Sequence, residues 1–276
     1  MKVKQNAVSM ATTAILIIAA LYTVFPVYMA VVNSFKTQSE LYSSVLSFPS
    51  HITLENYRQA FIKMDFVRVT FNTLVITVGS VAGIILAGSL AGYKLARVRG
   101  RVSSLLYILF TASMLVPFQS IMIPLVKIAK FFDLNGSVWG LPLIYIGLGV
   151  NMAIFLYYGF AKLLPKELEE AALVDGCNQF QMFFYIVFPL LKPITATIAI
   201  LDVLWIWNDF LLPLVMISNV KNYTLILASN MFFGKYNVEW PNILAALVLT
   251  LIPVVIFYSL FQKNIIKGIT SGAVKG

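Results

Sequence analysis

Between Lys4 and Lys36 the chain runs for 31 residues without a charge. A helix rises about 1.5 Å per residue, so about 20 apolar residues cross the roughly 30 Å hydrocarbon core of a bilayer. Comparable apolar runs recur down the sequence, and together they predict six spans at about residues 8–32, 69–93, 103–126, 137–160, 192–218 and 241–262. The chain is 60% hydrophobic and only 11% charged, against about 25% charged in ordinary soluble domains. A soluble core cannot absorb that much apolar surface, so the expected fold is all-α, a polytopic membrane protein of six helices. The first run far exceeds the 7–15 residues of a signal-peptide core and reads as an uncleaved span.

The connections carry further signals. Residues 33–68 read as a polar loop. Span 2 holds Gly79/Gly83 and Gly88/Gly92, two G-x-x-x-G pairs that permit close approach of a neighbouring helix. Pro117 and Pro124 predict a bent or broken third span. Six spans put both termini on one side. With the N-terminus inside, twelve Lys/Arg face the cytoplasm, among them Lys94, Arg97, Arg99 and Arg101, and eight face outward. The positive-inside rule therefore favours cytoplasmic N- and C-termini. A net charge of +9 in a soluble protein would suggest nucleic acid, but here the cations cluster at span ends, where membrane orientation accounts for them. The single Cys excludes an internal disulfide, and His51 has no partner at metal-ligand spacing.

One interval between spans is more elaborate than a plain loop: LPKELEEAALVDGCNQFQMFFYIVFPLLKP, residues 164–193. Pro165 suits a helix start, and Glu167, Glu169 and Glu170 follow where the helix dipole favours carboxylates. Gly176 suits the left-handed residue past a helix end, and Asn178 suits the cap of a second helix bearing Phe180, Phe183, Phe184 and Val187 on one face. Pro189 is expected to end that helix. The segment reads as a helix–turn–helix elbow, too polar in its first half for lipid.

Glu170-Ala171-Ala172, Asp175-Gly176, Ile186 and Phe188-Pro189 form the pattern E-A-A-x-x-D-G-x(9)-I-x-[LF]-P. This resembles the EAA loop of the membrane subunits of binding-protein-dependent ABC importers, and within them the sugar-uptake branch typified by the maltose permease. Cys177 stands where that family commonly has Ala, and Phe188 where it commonly has Leu. The resemblance implies a permease subunit in the plasma membrane of a prokaryote, paired with a homologous second permease, two ATPase subunits on the cytoplasmic side and an extracytoplasmic sugar-binding protein outside. It divides the chain into residues 1–68, a transporter core at 69–265 and a cytoplasmic tail at 266–276. It assigns coupling to the ATPase to Glu169, Glu170, Ala171, Ala172, Asp175, Gly176, Ile186 and Pro189. ATP and Mg²⁺ would sit on the partner ATPases and no cofactor on this chain.

The chain has no phosphate-binding G-x-x-x-x-G-K-[ST] loop, no nucleophile–base pair and no metal cluster, so no catalytic residue is expected and ATP hydrolysis falls to another chain. Asp202 and Asp209 lie inside span 5, where a charge costs at least about 2.5–3.5 kcal/mol. On a continuous helix Asp202, Trp205, Asn208 and Asp209 share a face, as a substrate pathway for a polyhydroxylated ligand or as a polar clamp between helices. Residues 219–240 form an outer loop in which Tyr223, Leu225, Phe232 and Tyr236 suit contact with the binding protein or a short interfacial helix. The substrate expected is an oligosaccharide, with a phosphorylated polyol such as glycerol 3-phosphate as the alternative. A proton-coupled secondary transporter would explain the buried acids but leaves the elbow without a role.

Overall fold

The structure, a computed structural model, describes residues 2–233 and 238–273, with side chains for residues 10, 12–233 and 238–259. In chain order the helices are α1 (Lys2–Ser34), α2 (Gln38–Ser43), α3 (Glu55–Lys63), α4 (Phe66–Arg97), α5 (Arg101–Ser113), α6 (Phe118–Phe131) and α7 (Gly140–Ala161). There follow α8 (Glu167–Val174), α9 (Gln179–Met182), a π turn at Phe183–Val187, α10 (Phe188–Leu190), α11 (Lys192–Trp207), α12 (Leu211–Met216), α13 (Leu225–Ser229) and α14 (Trp240–Ala273). Among the described residues there is no strand, only an isolated antiparallel bridge between Phe233 and Val238. Among the described residues, four helices are long and apolar enough to cross a membrane. Two bent pairs, α5 with α6 and the 179–190 segment with α11, raise the number of spans to as many as six.

The chain divides into two compact units, residues 1–66 with 229–253, and 67–228 with 254–276. In the first, the segment expected as a plain polar loop carries α2 and α3. A capping box starts α2: the Thr37 side chain accepts from the Glu40 N–H while Glu40 accepts from the Thr37 N–H at 3.0 Å. That bond from the Thr37 backbone, with one from Ser50, pulls the Glu40 carboxyl down to about 2. Lys36 is fully buried, and its ammonium donates to the carbonyls of Ser44 at 3.0 Å and Val45 at 3.3 Å. Asn242 donates to Glu239 at 2.8 Å, and this bond, helped by Lys63, holds the Glu239 carboxyl below the usual carboxylate range.

The second unit is organised on a seam between α4 and α7. A Cβ added to Gly88 would meet the Ala153 Cβ at 2.5 Å, and one on Gly92 would meet the Tyr157 Cβ at 2.7 Å and the Ile154 carbonyl at 3.0 Å. Gly83 lies against Ile146 and Gly79 against Pro142. All four glycines of the G-x-x-x-G pairs therefore face one helix, as their spacing predicts. Backbones this close gain dispersion contacts that lipid cannot match. Thr73 and Ser80, buried on α4, donate to the carbonyls of Val69 at 2.8 Å and Ile76 at 2.6 Å, so both hydroxyl donors are met in the apolar interior.

The third span breaks as expected, at Pro117: α5 and α6 meet at 105° with Pro117 at the N-cap of α6, while Pro124 lies within α6. Two other breaks fall elsewhere than expected. Span 5 does not run from 192 to 218 as one helix; α11 stops at Trp207 and α12 begins at Leu211. Pro213 explains this, because its ring would collide with the carbonyl of Asp209 in an unbroken helix, whereas in the first turn of α12 it is tolerated. Pro189 does not end the elbow's second helix, which continues to Leu190 and bends by 75° into α11. The strain of Pro189 is taken up one turn earlier, where the helix widens into the π turn and the Phe188 N–H donates to the Phe183 carbonyl. Likewise α8 starts at Glu167, two residues after Pro165.

Replacing Gly92 by Val should overpack the seam and cost about 1–3 kcal/mol. In detergent this reads as a lower melting temperature by fluorescence-detected size exclusion, whereas Gly147→Val, with open space around its Cβ, should leave it unchanged.

Candidate functional site

The elbow is built from local signals that the structure bears out. Gly176 adopts a left-handed φ of +86°, its N–H donates to the Leu173 carbonyl at 3.1 Å and the Cys177 N–H donates to the Ala172 carbonyl at 3.0 Å, which closes the end of α8. Asn178 then opens α9 with a capping box: its side chain accepts from the Gln181 N–H, and Gln181 accepts from the Asn178 N–H, both at 2.9 Å. The turn between the two helices is thereby held by local hydrogen bonds.

The elbow's placement depends on the inner end of α4. One Glu169 oxygen accepts from Arg97 Nε at 2.7 Å and lies 2.6 Å from Nη2, and the other accepts from the Tyr93 hydroxyl at 2.8 Å. Arg97 also donates to the Leu164 carbonyl at 3.0 Å. The Tyr93 ring packs 5.4 Å from Phe183 in the second limb. Two residues of α4, one turn apart, thus grip both limbs. The side chains of the Arg97–Glu169 pair are only 12% and 13% exposed, where a charge-assisted hydrogen bond is strong and specific in direction.

The coupling residues expected from the sequence fall on two sides of the elbow. Glu169 and Ala172 point inward: the first is held by Arg97 and the second is buried with Met182, Phe183 and Val187. Glu170, Ala171, Asp175 and Gly176 are exposed, beside Val174 and Phe180, which are 87% and 74% exposed. Ile186 and Pro189 are half-buried in the second limb, next to the bend into α11. The elbow therefore presents a mixed acidic and apolar outer face on an anchored base.

The face expected in span 5 is not continuous, because the helix ends at Trp207. Asp202 is buried on α11, and its Oδ2 has no hydrogen-bond partner among the described residues. Trp205 is 41% exposed and packs edge-on against Tyr145 at 5.5 Å. Asn208 folds back onto the Leu204 carbonyl at 2.8 Å. Asp209, beyond the helix end, accepts from the Tyr145 hydroxyl at 2.8 Å and from the Leu211 N–H at 3.0 Å. Asp209 thus ties α7 to the break and starts α12.

The outer loop has the short helices expected of an interfacial segment. Its apolar residues are less available than their position in a polar stretch implied: Leu225 and Phe232 are buried, with Lys63 Nζ lying 4.5 Å from the Phe232 ring centroid. Tyr223 is half-buried, and its carbonyl accepts from Asn72 at 3.1 Å. Tyr236 lies outside the described residues. No group of three or more potential metal ligands occurs among the described residues.

Residues 79–271 match the family described as the binding-protein-dependent transport system inner membrane component. This chain belongs to that family. Membership makes it a multi-pass inner-membrane transport component and implies ATPase and binding-protein partners. It is 44% identical, over 94% of each chain, to a probable starch degradation products transport system permease of Thermoanaerobacterium thermosulfurigenes. It is 35% identical, over 95% of each, to a multiple sugar-binding transport system permease of Streptococcus mutans. A melibiose/raffinose/stachyose import permease of Bacillus subtilis is 35% identical over 91% of each. The fold matches a chain in the crystal structure of a bacterial ABC transporter involved in the import of the acidic polysaccharide alginate, with a TM-score of 0.82 over 94% and 97% of the two chains at 21% identity.

Arg97, which the sequence offered only as one cation of a span-end cluster, is the residue that sequence reasoning missed. Breaking its pair with Glu169 should cost about 3–5 kcal/mol, because either partner alone is a poorly solvated charge. Arg97→Gln and Glu169→Gln should each lower the melting temperature of the purified importer and speed proteolysis at the elbow. The exchange Arg97→Glu with Glu169→Arg should recover some of both losses.

Proposed function

We propose that this chain is a permease subunit of an ATP-driven importer for a carbohydrate, most simply an oligosaccharide. It would pair with a homologous second permease, carry two ATPase subunits on its cytoplasmic side and receive its sugar from an extracytoplasmic binding protein. The names of its sugar-importing relatives support the substrate class and favour it over a phosphorylated polyol. Family membership disfavours a proton-coupled transporter. Positive-inside charge supports cytoplasmic termini, and with them a cytoplasmic elbow. ATP and Mg²⁺ belong to the ATPases in this reading, and this chain holds no cofactor and performs no hydrolysis. Its transporter core is taken as residues 69–265.

The observation that carries the reading is the division of the elbow into an anchored inner side and an exposed outer one. Glu170, Ala171, Asp175 and Gly176 form the docking face: small residues allow close approach, and Glu170 meets a basic side chain of the ATPase. Glu169 and Ala172 keep the face in register with α4. When ATP draws the ATPases together, the elbow moves with the subunit that grips it. Ile186 and Pro189 pass that movement through the bend into α11. Each state of the cavity needs its own contacts, since binding shifts an equilibrium only by its difference in affinity between states. On α11, Asp202 and Trp205 are the groups of this chain offered to the sugar pathway, with Asn208 and Asp209 at the break beyond it. Outside, Tyr223 and Tyr236 are the loop residues offered to the binding protein.

Gly176→Pro should abolish uptake of labelled sugar and stimulation of the ATPase by the loaded binding protein, because proline cannot adopt a φ of +86° and removes the N–H that closes α8. Glu170→Lys should do the same by reversing charge on the docking face. Both variants should still insert in the membrane, as measured by immunoblot of the membrane fraction; uptake at the wild-type rate by either would refute the coupling role.

A further inference from the structure

The first compact unit contains a cavity of about 270 Å³ that takes no part in coupling or in the groups offered to the sugar pathway. It is lined by Gln38 at the start of α2, Asn56 and Gln59 on α3, and Glu239, Pro241 and Asn242 at the entry to α14. Hydrogen bonds within the unit separate the donors of these side chains from their acceptors. Both N–H groups of Gln38 are engaged, by the Tyr42 hydroxyl at 2.8 Å and the Val238 carbonyl at 3.0 Å. Both of Asn56 go to the carbonyls of Ser34 at 2.7 Å and Lys36 at 2.8 Å. Asn242 donates to Gln59 Oε1 at 2.9 Å and Glu239 Oε2 at 2.8 Å. Carbonyl and carboxylate oxygens only accept, so the nitrogen end of each amide is fixed and its oxygen end is left over. Gln38 Oε1, Asn56 Oδ1, Asn242 Oδ1 and Glu239 Oε1 thus have no donor among the described residues, although Asn242 as a residue is only 7% exposed. All four oxygens remain accessible. Against them stands one spare N–H of Gln59, whose other N–H reaches Glu55 at 3.3 Å.

Charge and size say what such a cavity accepts. The charges beside it are matched in pairs, Glu239 with Lys63 at 3.5 Å and Glu55 with Arg58 at 3.4 Å. A cationic side chain entering here would find no carboxylate left to balance it and would be repelled by Lys63. A calcium ion takes about six to eight oxygens, commonly from several carboxylates, and the one carboxylate here is already paired. An anion would meet a lining of oxygens. A neutral molecule with several hydroxyl groups has none of these difficulties: each hydroxyl donates to one of the four oxygens and can accept from Gln59 or from water. Pro241 supplies an apolar surface for the C–H face of a ring. The volume equals that of about nine waters at liquid density, which is room for one hexose ring and not for a chain of them.

We infer that this cavity binds the terminal ring of a neutral sugar, with Gln38, Asn56, Asn242 and Glu239 accepting hydrogen bonds from its hydroxyls. The site rests on the carbohydrate reading above and adds to it a second place for the sugar, in the connections that the charge count assigns to the outer side. The acceptors are held in position by their own framework bonds, so little ordering is needed when the ring enters. A single ring held by hydrogen bonds that compete with water binds weakly, which suits a site that must pass its ligand on.

The assembled importer, without binding protein or nucleotide, is placed in lipid nanodiscs free of glycoside detergent and titrated with maltotriose, raffinose or glycerol 3-phosphate. Saturation-transfer NMR should show transfer to the sugars, strongest on the protons of a terminal ring, and none to glycerol 3-phosphate. Gln38→Ala should weaken sugar binding about fivefold and Glu239→Ala about tenfold, whereas Lys221→Gln, elsewhere on the chain, should not change it. A nitroxide at Ser39→Cys, an exposed position beside Gln38, with Cys177→Ala, leaves the lining intact and should broaden the sugar's proton lines relative to the reduced label. Transfer that survives unchanged in both alanine variants, or sugar lines that ignore the nitroxide, would overturn the site. Displacement of the sugar by calcium or by arginine methyl ester at matched concentration would overturn the sugar as its occupant. Uptake of either sugar by the same importer with its binding protein, without transfer, would overturn the site and leave the carbohydrate reading standing. Uptake of glycerol 3-phosphate in place of both sugars would overturn the two together.

Discussion

Arg97 donates through Nε to Glu169 at 2.7 Å, with Nη2 2.6 Å from the same oxygen, and through Nη2 to the carbonyl of Leu164. Through these bonds the long helix α4 and the polar elbow become one body, since Tyr93, one turn earlier, holds the other Glu169 oxygen and packs on Phe183. A charge pair at 12% and 13% exposure is poorly screened by salt and specific in direction, so it fixes orientation as well as distance. The glycine seam has the same effect deeper in the bundle. With no side chains at Gly88 and Gly92, α4 lies directly on α7, and movement of one must be taken up by the other.

From this follows a division of labour between two kinds of break. Where the chain must hold shape, the breaks are closed by hydrogen bonds: Gly176 and the Asn178–Gln181 capping box at the elbow, and Asp209 between Tyr145 and the Leu211 N–H at the end of α11. Where the proposed displacement would pass into the membrane, the chain bends beside Pro189. The π turn ahead of Pro189 absorbs its missing donor and lets the second limb continue to the 75° bend into α11. An importer subunit needs both, a rigid handle and a defined place to turn.

Much of this is legible in the sequence because the signals are local. Gly176, Asn178 and the three glutamates specify the elbow within a dozen residues, and the spacing of the four glycines specifies a packing face. What escapes is what depends on residues far apart. Arg97 lies 72 positions from Glu169, and in the sequence it is one of four cations whose clustering is explained by orientation alone. Leu225 and Phe232 sit in a polar stretch and read as exposed, yet folding buries both. The break after Trp207 was within reach, since Pro213 forbids an unbroken helix through Asp209, but the apolar run around it masked the signal.

The central claim is that elbow and α4 move together. Spin labels at Val174→Cys, on the exposed elbow face, and Leu86→Cys, on the exposed side of α4, with Cys177→Ala to remove the native thiol, report it by electron–electron double resonance. In the assembled importer the distance between them should stay the same without nucleotide and with ATP trapped on the ATPases, while the distance from Val174 to a label on the second permease changes. A shift of several ångström between the two labels on this chain, with its α4 otherwise in place, would contradict the account.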